Sequence, residues 1–281
     1  MDKKLLEILV DKPNLVADLP EWMLPGSAIN KIRNTENTAI AEIAGRDSIA
    51  AVIRACETNA IKAIIPTIAY TGTEFGNWDV TFEKIVLLKR LLKNRNVIVF
   101  NPIVLGSPKF WWKLCGRYAM HMFKSFGFYS HCIGCHLYLH AIRIPIAKKL
   151  GCHTVIGGER ELHDGKIKVN QTGVALDAYI SFLEKFGIKL LLPLRHEKSG
   201  EKIEEIIGET WDEGRGQLEC VLSKNYQEPD GKVQLYEDAI KRFLDEFAVR
   251  IAEDAVIGYL EKIGSFVKKL KDTTKEKKTE L

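Results

Sequence analysis

The sequence predicts an α/β protein: a parallel sheet of five strands or more, helices on both faces, and a helical C-terminal extension. Two observations predict it. Short apolar runs recur at 38–44, 61–69, 96–100, 152–157 and 188–192, and the stretches between them carry apolar residues at helical spacing. Strands alternating with helices in this way build parallel sheets. Polar, glycine-containing loops follow the strands, at the carboxyl edge where such sheets bind ligands.

Bulk properties narrow the class. The 281 residues are 46% hydrophobic and 28% charged, an ordinary globular composition, and the net charge of +4 permits a nucleic-acid partner without demanding one. No apolar run approaches the roughly 20 residues of a membrane span. The opening MDKKLLEILVDKPNL has charges inside its apolar stretch and lacks a small-residue cleavage site, so a cytoplasmic protein is expected. In that compartment the six cysteines are read as thiols or metal ligands, not disulfides.

Taken in order, residues 1–37 form an arm with a short amphipathic helix (Leu5, Leu6, Ile8, Leu9) and a Pro-punctuated segment around Trp22. Residues 38–225 form the main domain. Its first strand, Thr38–Ala44, enters a tight turn at Gly45, Arg46, Asp47 and Ser48, followed by a helix carrying Ile49, Val52, Ile53 and Cys56. Asp47 and Ser48 are N-cap types, and a helix N-terminus leaving a strand is a phosphate site in many folds, though an ordinary capped β–α turn reads the same way. The second strand, Ile61–Ala69, runs into the loop Tyr70–Gly76; a helix over 79–93 leads to the third strand, Asn96–Phe100. In 106–130, Lys109, Lys113, Arg117 and Lys124 interleave with Trp111, Trp112, Phe123, Phe126 and Phe128, which suits either a core or a nucleic-acid surface. A helical stripe through Leu139, Ile142, Ile146 and Leu150 follows, with a kink expected at Pro145. The fourth strand, Cys152–Gly157, ends in the charged loop 158–164; a helix over 174–186, the fifth strand at 188–192 and a helix over 201–207 lead to Cys220. Residues 226–270 give amphipathic helices, and 271–281 a charged, disordered tail.

His131-Cys132-Ile133-Gly134-Cys135-His136 admits four meanings: haem attachment, a redox pair, zinc, or an iron–sulfur cluster. Zinc would need Cys220 plus a histidine or Cys115; a cluster would need one distant cysteine.

Ile43-Ala44-Gly45-Arg46-Asp47-Ser48 resembles the S-G-G-x-D-S loop of the PP-loop ATP pyrophosphatases, with Ile43 and Ala44 in place of its Ser and Gly. CIGCHLYLHAIR, AKKLGCHTVIGGERELHD and the Glu219-Cys220 segment resemble, in that order, PP-loop enzymes that thiolate tRNA, the 2-thiocytidine and 2-thiouridine synthetases. The chain lacks the paired zinc-finger ends of some of these enzymes. Its loop after the fourth strand reads Gly157-Gly158-Glu159-Arg160-Glu161 where theirs reads Gly-His-Asn-x-x-Asp.

The resemblance implies ATP and Mg²⁺ at Ala44, Gly45, Arg46, Asp47, Ser48, Tyr70 and Gly157, and a [4Fe–4S] cluster on Cys132, Cys135 and Cys220. Asp47 and the three cysteines would then be catalytic. It implies tRNA and a sulfur donor as partners and no membrane; whether the chain is a homodimer stays open. Cys56, Cys115 and Cys152 are expected elsewhere, and Asp47→Ala is expected to spare the fold. Two alternatives remain: a phosphoadenylylsulfate-reductase-like enzyme, on the loop Tyr70–Phe75, and an amidating or ligating enzyme acting on a small molecule.

Overall fold

The computed structural model describes residues 2–117, 119–211 and 216–279, with side chains described through Gly264. Its strands are β1 (Thr38–Glu42), β2 (Ala63–Tyr70), β3 (Glu74–Phe75), β4 (Ile98–Val99), β5 (Ile103–Gly106), β6 (Thr154–Ile156), β7 (Lys189–Leu191) and β8 (Glu219–Cys220). The helices before the cysteine pair are α1 (Lys3–Asp11), α2 (Gly26–Arg33), α3 (Arg46–Thr58), α4 (Asp79–Lys93), α5 (Pro108–Trp111) and α6 (Ala119–Phe126). Those after it begin with α7 (His131–Ala141), α8 (Arg143–Leu150), α9 (Gly173–Glu184) and α10 (Gly200–Ile207), and end with α11 (Glu237–Phe243) and α12 (Val249–Thr279).

Six strands form one parallel sheet in the order β4-β2-β1-β6-β7, with β5 also on β2. The inner strands are continuous apolar runs because helices cover both faces. Ala39, Ile40, Ala41, Ile64 and Ile65 are buried, and α3 lays Ile49, Val52 and Ile53 against them. The third strand differs from expectation: it stops at Val99, and a further strand, β5, resumes at Ile103. Pro66 is the cause. Ile98 and Phe100 donate to the carbonyls of Lys62 and Ile64, so even-numbered β2 residues face that edge. Pro66 brings no donor there, and the ladder breaks before restarting at Thr67↔Ile103.

Pro145 acts as its ring dictates. Helix α7 ends at Ala141, and Pro145 falls in the first turn of α8, where a missing N–H costs nothing. Helix α7 is fixed over the sheet's carboxyl edge by buried tyrosines: Tyr138 accepts from the Ser107 N–H (2.7 Å) and donates to the Tyr70 carbonyl (2.8 Å). Tyr179 donates to the Ile133 carbonyl at 3.1 Å. The C-terminal helices close the same core through Ile240, Phe243, Leu244, Ala248, Ala252 and Val256, and the N-terminal segment joins it through Leu9, Val16 and Leu24. Side chains of the charged tail, 271–281, lie outside the described residues. Among the described residues no helix is long and apolar enough to cross a membrane.

Candidate functional site

The turn after β1 is closed by Ser48. Its hydroxyl accepts from the N–H groups of Ala44 (3.0 Å) and Gly45 (3.1 Å) and donates to the Gly45 carbonyl (2.7 Å). Gly158, after β6, packs on this turn so closely that a Cβ there would stand 2.7 Å from the Ser48 nitrogen. Gly158→Ala is therefore expected to force the two loops apart, costing about 1–3 kcal/mol in urea denaturation.

Asp47 faces inward. One carboxylate oxygen accepts from Arg160 Nε at 2.9 Å and lies 3.7 Å from His163 Nδ1; the other accepts from Arg46 Nε at 3.3 Å. Arg160 is buried. Around them opens a cavity of about 710 Å³ whose wall carries Arg46, Lys84, Arg160, Lys166, Lys168 and Lys224. Lys84 Nζ donates to the Ala44 carbonyl at 3.0 Å, and burial lowers its pKa. Burial likewise lowers Lys168. Six cations against Glu42, Asp47, Glu159 and Asp164 make this a pocket for an anionic ligand.

His163 donates from Nε2 to the Gln171 side-chain oxygen, 2.7 Å away. Burial, then the charge of Lys168, lower its pKa from 6.5 to about 4. The unfolded chain therefore takes up this proton first, so His163 makes stability fall as pH drops from about 6.5 toward about 4. Urea midpoints across that range are expected to decline less in His163→Gln than in the parent.

A second cavity, about 490 Å³, is lined by Cys132, Cys135 and Cys220 and shares Glu42, Ala44, His136, His163, Lys168 and Gln217 with the cationic one. The pair comes from the first turns of α7, while Cys220 arrives on the antiparallel ribbon β3–β8, opposite Glu74. The Glu74 carboxylate holds that ribbon's approach by accepting from the N–H groups of Thr71 and Gly72. Both outer sulfurs abut one residue: Cys220 Sγ accepts from the Leu222 N–H at 3.4 Å, and Cys132 Sγ lies 3.9 Å from the Leu222 carbonyl. Burial pushes Cys132 up to about 12 and Cys135 well above the ordinary thiol range. A redox pair needs the opposite shift. Trp111, on α5, faces Cys135 and favours its thiolate, against the effect of burial.

This donor set fits an iron–sulfur cluster. Cysteine thiolates are its usual holders. A single zinc ion with Zn–S bonds of about 2.3 Å would draw its sulfurs to within about 4 Å of one another. Among the described residues, however, the one trio of metal-ligand types with donors within 4.8 Å is Glu42, His140 and Glu159, not the cysteines.

Of the expected residues, Ala44, Gly45, Arg46, Asp47 and Ser48 line the cationic cavity, and Cys132, Cys135 and Cys220 the adjoining one. Two expected residues line neither. Tyr70 is fully buried, its hydroxyl bonded to the Pro13 carbonyl and its ring filling the space that Gly106 leaves. Gly157 seats Glu159 instead: a Cβ there would be 2.3 Å from a carboxylate oxygen. Cys56 and Cys152 line neither cavity, but Cys115 does not lie elsewhere. It is buried beneath the pair, 3.2 Å from where a Gly134 Cβ would be, because the π-helical turn Trp112–Gly116 packs on α7. Residues that sequence reasoning missed include Lys84, His140, Glu159 and Arg160. A signal for Lys84 existed, since it falls on the apolar stripe of Thr81, Ile85, Leu88 and Leu92.

No family model matches the chain. Among solved structures it is similar to the U34-tRNA thiolase NcsA from Methanococcus maripaludis with its [4Fe–4S] cluster, at 13% identity and a TM-score of 0.39, over 85% of this chain and 76% of that one. That likeness is too slight to bear on function. The chain is 41% identical over 211 residues to "Uncharacterized protein MJ0009" of Methanocaldococcus jannaschii, which spans 74% of this chain and 76% of that protein. An identity of that size over most of both chains places this protein in the family of the Methanocaldococcus jannaschii protein.

Proposed function

We propose that this protein is an ATP-dependent enzyme that thiolates a tRNA base through an adenylated intermediate. One observation carries the reading: the cationic cavity at the β1–α3 turn and the cavity lined by three cysteines share a wall. ATP would place its phosphates among Arg46, Lys84, Arg160 and Lys168, with Mg²⁺ offsetting part of their charge. Asp47 would fix the two arginines, since its carboxylate already pairs with both. Attack of a base carbonyl oxygen on the α-phosphorus would release pyrophosphate and turn that oxygen into a leaving group, AMP. A sulfur nucleophile would then displace AMP. Cys132, Cys135 and Cys220 would hold the [4Fe–4S] cluster, which supplies an iron free to carry sulfide. Incubation with ATP, sulfide and tRNA without oxygen is expected to yield pyrophosphate and thiolated nucleoside in equal amounts. Turnover of ATP that is indifferent to tRNA would contradict the reading.

The segment α5–α6 supplies a surface for the RNA. Lys109, Lys113, Arg117 and Lys124 are exposed on it together with Trp112 and Phe123, and the Arg117 guanidinium stands 5.4 Å over the Trp112 ring. Affinity for tRNA is expected to fall steeply with salt, and each Lys→Ala substitution to reduce the log–log slope by about one. Slopes unchanged in Lys109→Ala, Lys113→Ala and Lys124→Ala would put the RNA elsewhere.

A further inference from the structure

Where the two cavities meet, two imidazoles and two carboxylates converge. Glu159 turns Oε1 toward Nε2 of His140 and Nδ1 of His136, while its Oε2 sits at Gly157; the fourth group is the carboxylate of Glu42. His140 and Glu159 are almost wholly buried. The histidines stand four residues apart on α7, so they share one face. Glu42 ends β1, and Glu159 follows β6 in the notch that Gly157 leaves.

Their spacing also suits ligands that share one ion. Glu159 Oε1 is 3.0 Å from His140 Nε2 and 3.4 Å from His136 Nδ1, so one carboxylate oxygen is shared by both rings. Two donors bonded at about 2.1 Å to one ion, subtending roughly 90–110°, lie about 3.0–3.4 Å apart. Donor atoms of Glu42, His140 and Glu159 all lie within 4.8 Å of one another. His140 and Glu159 are held out of water, and a shared cation would satisfy both together with Glu42 and His136. Arg143 Nη1 already pairs with Glu42 Oε2 at 3.0 Å.

We propose that His140, Glu159 and Glu42, with His136 as a fourth ligand, bind one divalent first-row transition ion, zinc or iron(II). Imidazole and carboxylate donors suit these metals, and the mixed set separates this site from the all-sulfur one beside it. Glu42 and His136 also line both cavities, so an ion held here would be reached from them.

The inference does not depend on the sulfur-transfer reading, and the experiment keeps the two apart. Protein carrying Cys132→Ser, Cys135→Ser and Cys220→Ser is stripped of metal and titrated with Co²⁺, followed by zinc competition. The expected result is one ion per chain, with visible cobalt bands and no sulfur-to-cobalt charge-transfer band. Adding Glu159→Gln or His140→Gln should weaken binding by at least about tenfold. His136→Gln, at a partly exposed residue, should do likewise, which covers the case of a buried substitution that fails to fold. Failure to bind one cobalt ion per chain would reduce the cluster to histidine–carboxylate ion pairs and overturn the proposal. So would binding undiminished in His136→Gln and Glu159→Gln.

Discussion

Cys220→Ser is expected to abolish iron retention and tRNA thiolation while costing less than about 1 kcal/mol of stability. The asymmetry follows from where the residue sits. Cys220 is partly exposed on a two-residue strand at the cavity's edge, and its hydrogen bonds, from the Leu222 N–H and with the Thr73 hydroxyl, suit a serine oxygen as well. Serine keeps those contacts and loses the thiolate that iron requires. Cys135→Ser should also lose iron but cost more stability, because Cys135 packs against the main core. Cys56→Ser, on α3 and away from both cavities, is the control and should retain iron. Iron content, urea midpoints and thionucleoside yield of the three variants check this. A Cys220→Ser protein that keeps parental iron would remove the third cysteine from the account.

Asp47→Ala is expected to stop pyrophosphate release and, contrary to the sequence-based expectation, to destabilise the fold by about 3 kcal/mol. Arg160 is buried and relies on the Asp47 carboxylate at 2.9 Å. Its remaining acceptor is the Glu197 carbonyl at 3.4 Å. Truncating Asp47 thus leaves a guanidinium out of water without its counter-charge. Asp47→Asn keeps an oxygen for Arg160 and should recover much of the stability but not the activity, since the charge that holds both arginines is gone. Denaturant unfolding and pyrophosphate release, measured on both variants, separate the two effects. Parental pyrophosphate release by Asp47→Asn would show that the charge of Asp47 is dispensable.

The main sheet was legible because its inner strands are buried on both faces and read as continuous apolar runs between helical stripes. Less legible were features set by backbone chemistry far along the chain. Strand β5 depends on Pro66, whose missing donor interrupts the ladder on a neighbouring strand. Tyr70 reads as a loop residue, yet β2 continues through it and turns its ring into the core. The tie between Cys220 and the loop after β2 is a two-residue ribbon, too short to leave any periodicity. Within the site, the turn at Gly45–Ser48 and the cysteine pair were visible as local motifs. Arg160 and Glu159 were visible only as a charged loop, because their roles come from partners more than a hundred residues away (Asp47) or on another element (His136, His140). The four-residue spacing of His136 and His140 was in the sequence but was masked by the cysteines beside it.

Cys132, Cys135 and Cys220 are proposed to hold an iron–sulfur cluster beside an ATP site. Anaerobic reconstitution with iron and sulfide tests this most directly, with iron and sulfide counts and the visible spectrum recorded for the parent and for the triple Cys→Ser variant. The expected result is a brown parent carrying the iron and sulfide of one cubane per chain, and a colourless variant without it. A parent that takes up no iron, or a triple variant that takes up as much as the parent, would contradict it.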